Sequence, residues 1–285
     1  MKAADLYEQM EKDFVKPDMV EDWYCHEMAV NAEFISENFK RRSMGLLCNF
    51  ADEITKVYTA VFPSDRVLKK ILDDGTTDAM IFLHHPMDWD LSKDVNVAFY
   101  QMSGGLLEKL KERRVALFNF HYPLDNYGVY STSKTLAEAI GVEIEKPFAK
   151  LGGAFCGVIG TTECNSLDMI ERRLSKAVEH ETKLYRYGDE KIIDGRIAIC
   201  AGGGNQVEVL KELIDEKISV LITGLTVNNK YSAAAHEFAQ EKGISLIGGT
   251  HYSSEKFACI AMCSYFEELG LGCEFVADKP CLQDL

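Results

Sequence analysis

The residues best suited to chemistry are histidines and carboxylates that follow short apolar runs. His84 and His85 follow the run at residues 81–83, and Pro86 comes directly after them. An apolar run this short predicts a buried strand, and open α/β sheets bind ligands at the carboxyl ends of their strands. Because neighbouring residues of a strand point to opposite faces, the two imidazoles suit two tasks, or two metal ions, better than one shared ion. The alternative is a structural histidine pair at a strand end.

Two further pairs of metal-capable residues follow predicted strands. His121 and Asp125 lie four residues apart across a predicted loop, and His251 and Glu255 lie four apart where a helix is predicted to begin. On a helix this spacing places both side chains on one face. Imidazole with carboxylate suits zinc, iron, manganese or nickel. Each pair alone is more typical of a protein surface, but three such positions at strand ends favour one shared site. A bridging carboxylate and two diverging histidines predict a dinuclear centre.

Alternating strands and helices predict an α/β fold around these residues. A strand at 54–62, a helix at 66–72 and the strand before His84 form a β-α-β unit, which normally joins parallel strands by a right-handed crossover. A second such unit covers residues 195–223. The two helices have similar sequences at residues 67–72 and 209–214, which suggests two related lobes. The last helix is predicted from about Ser253 to Leu269.

Composition excludes several classes of protein. The 285 residues are 47% hydrophobic and carry a formal net charge of −14, so the chain lacks the basic excess that wide contact with nucleic acid requires. No apolar run has the length of a membrane span, and the N-terminus has no hydrophobic signal core. Nine cysteines without a CxxC pair predict reduced thiols and a cytoplasmic location.

The N-terminal residues 1–45 are predicted to form a helical segment that is interrupted at Pro17 and packs on the body of the protein. A covering role is favoured over a lid or an oligomer contact. The side chains that could pack this segment are aromatic: Trp23, Tyr24, Phe34 and Phe39.

Several other features are weaker candidates. The glycine run at 201–205 could hold a phosphate on its backbone amides, but a tight turn is favoured because the run lacks P-loop spacing. Cys259 and Cys263 continue the Glu255 face of the last helix and are predicted to be buried thiols, with a metal-transfer or redox role as the alternative. Residues Asp88, Trp89 and Asp90 could line a pocket or form an exposed loop. Three histidines are predicted not to be ligands: His26, His180 and His236.

The three histidine motifs, in this order, resemble those of the NIF-three-like family. They are Leu83-His84-His85-Pro86, His121-Tyr122-Pro123-Leu124-Asp125 and His251-Tyr252-Ser253-Ser254-Glu255. The element Ile222-Thr223-Gly224 is also similar, and the resemblance runs from about Gly45 to the C-terminus. Members of this family are often named GTP cyclohydrolase 1 type 2 homologues and are dinuclear-metal proteins. Two departures are Tyr122-Pro123, in place of a smaller polar pair, and Thr250, where glycine usually precedes the third histidine.

The resemblance implies a fold of two similar α/β lobes with the metal site in the cleft between them, formed by residues 46–285 without an inserted domain. It implies two divalent metal ions per chain, of zinc, iron or manganese, with Glu255 bridging both ions. His121 would lie beside them, either as a group that supports the metal ligands or as a proton shuttle. It also implies a ring-shaped homohexamer. The implied metal ligands are His84, His85, Asp125, His251 and Glu255.

Two functions from different classes follow. The first is a metal-dependent hydrolase, GTP cyclohydrolase-like, in which a metal-bridging water attacks a nucleotide or a related small molecule. The second is a metal-binding protein that delivers metal or serves cofactor assembly without turnover. A regulatory scaffold is a weaker third alternative.

Overall fold

The computed structural model describes residues 1–21, 31–87 and 103–285. Trp23, Tyr24, His26 and the segment 88–90, for which packing or pocket roles are predicted above, lie outside the described residues. The chain divides into two compact units. The first unit comprises residues 1–124 and 259–278, and the second comprises residues 125–258 and 279–285.

Ten helices and eleven strands are defined in the described ranges. The helices are α1 Ala3–Phe14, α2 Glu37–Arg42, α3 Asp65–Asp73, α4 Gly104–Glu112, α5 Tyr122–Asp125, α6 Thr132–Ala139, α7 Leu167–Val178, α8 Val207–Asp215, α9 Ala233–Lys242 and α10 His251–Glu268. The strands are β1 Gly45–Cys48, β2 Lys56–Ala60, β3 Ala79–Leu83, β4 Val115–Asn119, β5 Glu143–Leu151, β6 Ala154–Thr161, β7 Lys183–Tyr185, β8 Arg196–Cys200, β9 Val220–Thr223, β10 Ser245–Gly248 and β11 Gly272–Phe275.

The first unit contains a five-stranded sheet in the order β1-β4-β3-β2-β11. Strands β11, β2, β3 and β4 are parallel, and β1 pairs antiparallel with β4. The predicted β-α-β unit is present as β2-α3-β3. Ser64 caps α3 by accepting a hydrogen bond from Val67 N, which satisfies one of the amide groups that a helix start leaves without an intrahelical acceptor.

The second unit contains a six-stranded sheet in the order β5-β6-β8-β9-β10-β7. Its three parallel strands β8, β9 and β10 are linked by α8 and α9, as β2, β3 and β4 of the first unit are linked by α3 and α4. In both units the last of the three strands also pairs with an antiparallel strand, β1 or β7. These shared features confirm the prediction of two similar α/β lobes.

Each unit has a hydrophobic core of its own. In the first unit, α3 and α4 bury residues such as Leu68 and Leu107 with the strand residues Ile81 and Leu117. In the second, α6 and α7 bury Leu136 and Leu174 with Ile199, Ile222 and other residues. The central strand β3 is apolar throughout because a parallel sheet is buried on both faces. In the described ranges, no helix combines the length and the apolar character that crossing a bilayer requires.

The sequence prediction missed β1, β5 and β7. Strand β5 carries Glu143, Glu145, Lys146, Pro147 and Lys150 and lies at the edge of its sheet, where proline and charge are tolerated because no further strand needs the backbone groups. Strand β6 follows β5 after a turn at two glycines of positive φ, Gly152 and Gly153. The predicted loop after His121 contains the short helix α5, and α10 begins at His251, two residues before the predicted start.

Candidate metal centre

His84 and His85 follow the last residue of β3 and are buried. The His84 Nδ1 atom lies 3.0 Å from the carbonyl oxygen of Phe120. Because a carbonyl can only accept, Nδ1 carries the proton and donates, and the lone pair is on Nε2. A histidine held in this way by a backbone oxygen has the tautomer and the ring orientation that metal ligation requires.

The rings of His84 and His85 lie near each other. Their centroids are 4.4 Å apart with an interplanar angle of 66°, and the His85 ring stacks on Phe62 at 4.8 Å. The strand ends at Leu83, so the strict alternation of a strand no longer applies to the two histidines. The two imidazoles lie close enough to act in one site.

His121 is held by a residue that sequence reasoning did not find. Its Nδ1 donates to Glu21 Oε1 at 2.7 Å, and the same oxygen accepts the backbone N–H of Tyr122 at 2.7 Å. The Glu21 side chain is 0% exposed and that of His121 is 15% exposed. The carboxylate fixes the proton on Nδ1 and leaves the lone pair on Nε2, as Phe120 does for His84. A lone glutamate one hundred residues earlier in the chain carries no sequence signal for this role.

The three histidines of the first unit form one group. One ring nitrogen from each of His84, His85 and His121 lies within 4.8 Å of the other two, and the His121 ring centroid is 5.2 Å from that of His84 and 4.9 Å from that of His85. His121 therefore has the position of a third imidazole donor as well as that of a neighbouring base.

In the second unit, His251 and Glu255 lie in the first turns of α10. Their spacing brings His251 Nε2 within 3.1 Å of Glu255 Oε1, as expected for residues four apart on a helix. Both side chains are buried. Imidazole nitrogen and carboxylate oxygen are thus available side by side, which is the donor chemistry of zinc, iron and manganese sites.

Asp125 ends α5 and brings a second carboxylate into the same unit. Its Oδ1 accepts a hydrogen bond from Thr132 Oγ1 at 2.6 Å, and a carboxylate oxygen of Asp125 lies within 4.8 Å of one of Glu255. Two carboxylates this close repel each other in a buried setting. A divalent cation would remove that repulsion, so the residues present fit a metal ion.

The backbone of Gly202 packs against the side chains of Glu255 and His251. It has a φ of +66°, and a Cβ atom there would collide with the Glu255 carboxylate and lie 3.1 Å from His251 Nε2. Its N–H donates to Ser254 Oγ at 2.9 Å, while the N–H of Gly204 donates to Thr223 Oγ1 at 3.0 Å. These two amides serve the fold, which favours the prediction of a tight turn over a phosphate cradle.

Two side chains accept hydrogen bonds from backbone N–H groups at the start of α10. Thr250 Oγ1 accepts the N–H of Ser253 at 3.2 Å, and Asp284 Oδ2 accepts the N–H of His251 at 2.9 Å. Burial raises the pKa of Asp284. Thr250 is buried with a φ of +64°, a conformation that is an outlier for a β-branched residue. The departure from glycine at this position therefore places backbone strain directly before His251.

The nearby thiol of Cys200 is shifted toward its protonated form. Burial raises the pKa of Cys200, and the carboxylates of Asp125 and Glu255 raise it further. Only a thiolate is an effective metal ligand, so the donors of this unit are the imidazole and the carboxylates.

The structure gives His180 and His236 structural partners. His180 accepts from Ser253 Oγ at 2.8 Å and donates to the Glu181 carbonyl. His236 donates to the Thr226 carbonyl at 3.0 Å and accepts from the Tyr187 hydroxyl at 2.9 Å. Neither belongs to the groups of metal-capable side chains found in the described residues, in agreement with their prediction as non-ligands.

Fold and side chains together define a class: α/β proteins with two similar units that carry buried histidines and carboxylates beyond their parallel strands. The chain belongs to the Duf34/NIF3 (NGG1p interacting factor 3) family, whose family model matches residues 35–279. The resemblance found in the sequence is thereby confirmed.

Relatives share about a quarter of their residues with this chain. A protein of Borreliella burgdorferi named GTP cyclohydrolase 1 type 2 homolog is 26% identical over 236 residues, which cover 82% of this chain and 86% of the relative. A protein of the same name from Methanocaldococcus jannaschii is 27% identical over 210 residues, which cover 73% of this chain and 78% of the relative.

Solved structures share the fold. The protein ybgI, described as of unknown function, is similar with a TM-score of 0.75 and 17% identity over 99% of this chain and 100% of that one. Reduced HcgD from Methanocaldococcus jannaschii has a TM-score of 0.67 and 22% identity over 98% of both chains. At these identities the likeness establishes the architecture alone.

Proposed function

We propose that the protein is a dinuclear-metal-dependent hydrolase. Two divalent ions, of zinc, iron or manganese, would be held by histidines and carboxylates, with Glu255 as the shared ligand. The observation that carries the proposal is the approach of the buried Asp125 and Glu255 carboxylates to within 4.8 Å in the second unit, with an imidazole 3.1 Å from Glu255. The proposed ligands are His84, His85, Asp125, His251 and Glu255.

The chemistry that such a metal pair supplies when bound is a water of lowered pKa and a clamp on the substrate. The chain contributes the proton transfer. His121, oriented by Glu21 at 2.7 Å, keeps a basic Nε2 that can accept a proton and return it to a leaving group. Its side chain is 15% exposed, so it remains accessible to a substrate.

The substrate class is proposed from the relatives. Their name, GTP cyclohydrolase 1 type 2 homolog, supports a nucleotide or a related small molecule whose ring or ester bond is hydrolysed. The homohexamer implied by the resemblance and the cytoplasmic location implied by the cysteine content are part of this proposal. Light scattering on the purified protein measures the first of these directly.

A second candidate function is metal storage or delivery without turnover. It is supported by burial, because the five proposed ligands are at most 8% exposed, whereas a catalytic metal site keeps a position open to substrate. The acidic net charge of −14 also favours attraction of cations.

Metal analysis tests both candidates. Wild type, Glu255→Ala and Glu268→Ala are purified without added metal, and bound metal per chain is measured by elemental analysis. Glu268 is an exposed residue of the same helix and is the matched control. About two ions per chain in wild type and in the Glu268 variant, with a sharp fall in the Glu255 variant, is expected. No binding even after reconstitution with zinc, iron and manganese would overturn the proposal.

Turnover separates the two functions. Hydrolysis of GTP or of another ring or ester substrate that is lost in His121→Ala, with its metal content intact, supports the hydrolase. If His121→Ala loses metal instead, His121 is a ligand. Ready transfer of metal to an acceptor chelator, with no turnover on a substrate panel, supports delivery.

A further inference from the structure

Two cysteines of the first unit, Cys263 and Cys273, are neighbours in the fold. Cys263 belongs to α10 and Cys273 to the edge strand β11. Their thiols lie close enough for each to shift the pKa of the other, and both side chains are partly exposed. The Thr59 hydroxyl lies 3.5 Å from the Cys263 sulfur, so the pair has a polar neighbour as well as access to solvent.

The strand register explains why the thiols meet. Cys273 is paired with Val57 of β2, and Phe275 is paired with Thr59. Residues two apart in a strand share a face, so Cys273 and Thr59 lie on the same face of the sheet. Thr59 Oγ1 donates to the Cys259 carbonyl of α10 at 2.7 Å. The helix is thereby held over the face that carries Cys273, with Cys263 one turn further along.

The other cysteines in the described ranges have different surroundings. Cys281 is exposed, its thiol donating to Gln283 at 3.0 Å. Five others are buried: Cys48, Cys156, Cys164, Cys200 and Cys259. Among the described residues, Cys263 and Cys273 are the pair that combines mutual contact with partial exposure. The prediction that Cys263 is a buried thiol is therefore wrong, because the sequence shows the helix face but not its neighbour on β11.

We propose that Cys263 and Cys273 form a redox-active dithiol site that a peroxide oxidises to an intramolecular disulfide between α10 and β11. The Cys263 thiolate attacks one peroxide oxygen, the O–O bond breaks, and hydroxide leaves, which gives a sulfenic acid. The Cys273 sulfur then attacks the Cys263 sulfur, forming the S–S bond and releasing water as the S–O bond breaks. Overall, two thiols lose two electrons and two protons, and the peroxide is reduced to two waters.

The surroundings of the two thiols indicate which one attacks the peroxide and which one resolves the sulfenic acid. The hydrogen bond from Cys273, with a contribution from Thr59, lowers the pKa of Cys263 to about 7, although burial and the carboxylates of Glu267 and Glu274 oppose this shift. The same interaction and burial raise the pKa of Cys273. Since the thiolate is the nucleophile, Cys263 is the attacking residue, and Cys273 is the resolving residue.

Mass spectrometry of the full-length protein tests the proposal. Reduced protein is treated with stoichiometric hydrogen peroxide in the presence of a chelator, so that bound metal does not drive the oxidation. The expected product has lost two hydrogen atoms, regains them with a reducing agent, and gives a peptide that links Cys263 to Cys273. An unchanged mass with both thiols still open to alkylation, or further oxidation of Cys263 without a cross-link, would overturn the proposal.

Serine variants separate the two roles. Cys273→Ser should accumulate a sulfenic acid on Cys263 that dimedone traps, Cys263→Ser should form no internal disulfide, and the control Cys281→Ser should behave as wild type. A dimedone adduct on Cys281 in place of Cys263, or an internal disulfide that persists in Cys263→Ser, would contradict the assignment. If a variant fails to fold, the mass change of the wild-type protein still tests whether the disulfide forms.

Discussion

The carboxylate of Glu21 holds His121 by a 2.7 Å hydrogen bond to Nδ1, and the same oxygen accepts the backbone N–H of Tyr122. A residue of the N-terminal segment thereby orients a side chain of the candidate site. The fixed tautomer, with Nε2 unprotonated, is what either a proton acceptor or a metal ligand requires.

Replacing Glu21 should change the tautomer of His121 and lower the stability of the protein without preventing it from folding. Glu21→Ala leaves two partly buried donors without their acceptor and should lower the free energy of unfolding by about 2 kcal/mol, whereas Glu21→Gln keeps an acceptor oxygen and should cost less than about 1 kcal/mol. Urea unfolding measures both values. Nitrogen-15 spectra of the metal-free protein should show the Nδ1–H tautomer of His121 in wild type and a mixture in the alanine variant.

The control for this series is Glu8→Ala, at an exposed position of α1. It should leave both the stability and the His121 spectrum unchanged. The orienting role of Glu21 would be refuted by a Glu21→Ala protein whose His121 spectrum matches that of the control.

Gly202 and Gly203 offer a matched pair of substitutions. Gly202→Ala forces a Cβ into the Glu255 carboxylate at a φ of +66°, whereas the nearest atom to a Cβ at Gly203 is 3.9 Å away. Gly202→Ala should therefore lower the free energy of unfolding by about 2 kcal/mol or more and reduce metal binding, while Gly203→Ala should change neither. Urea unfolding and elemental analysis of both variants provide the measurement, and equal behaviour would show that the close approach has no role.

Local sequence features were sufficient to predict most of the architecture. Helix α3 lies within one residue of the helix predicted at 66–72 at each end, because its apolar periodicity and its end signals agree. The grouping of His251 with Glu255 follows in the same way from helix geometry. Strand β5 was missed because its charged residues and Pro147 obscure the strand pattern.

Other parts of the site depend on contacts between distant residues. Glu21 is one hundred residues from His121, and Asp284 caps His251 from the end of the chain. Neither contact has a periodicity or a motif from which it could be predicted. The partnership of Cys263 with Cys273 likewise depends on the register of β11 against β2, which the sequence alone does not specify.

His236 should make the stability of the protein depend on pH. Burial lowers its pKa in the folded state below the ordinary value of 6.5, so between the two values the unfolded chain binds more protons, and stability rises with pH. The stabilisation is complete above about pH 6.5 and is lost as the pH falls toward the folded pKa. Urea unfolding of wild type and His236→Phe across this window should show that the variant lacks this part of the slope. Parallel curves for the two proteins would contradict the assignment.

Thr250→Ser should lower the free energy of unfolding less than Thr250→Val, although valine has the same shape as threonine. Its hydroxyl accepts the Ser253 N–H at 3.2 Å, so Thr250→Val removes a cap of α10 and should cost about 1–2 kcal/mol. Thr250→Ser keeps the cap and loses the β-branch that is strained at a φ of +64°. The gain from released strain offsets the lost methyl group, and the net change should stay within about 1 kcal/mol. Chemical unfolding ranks the variants, and a valine variant as stable as wild type would show that the cap is dispensable.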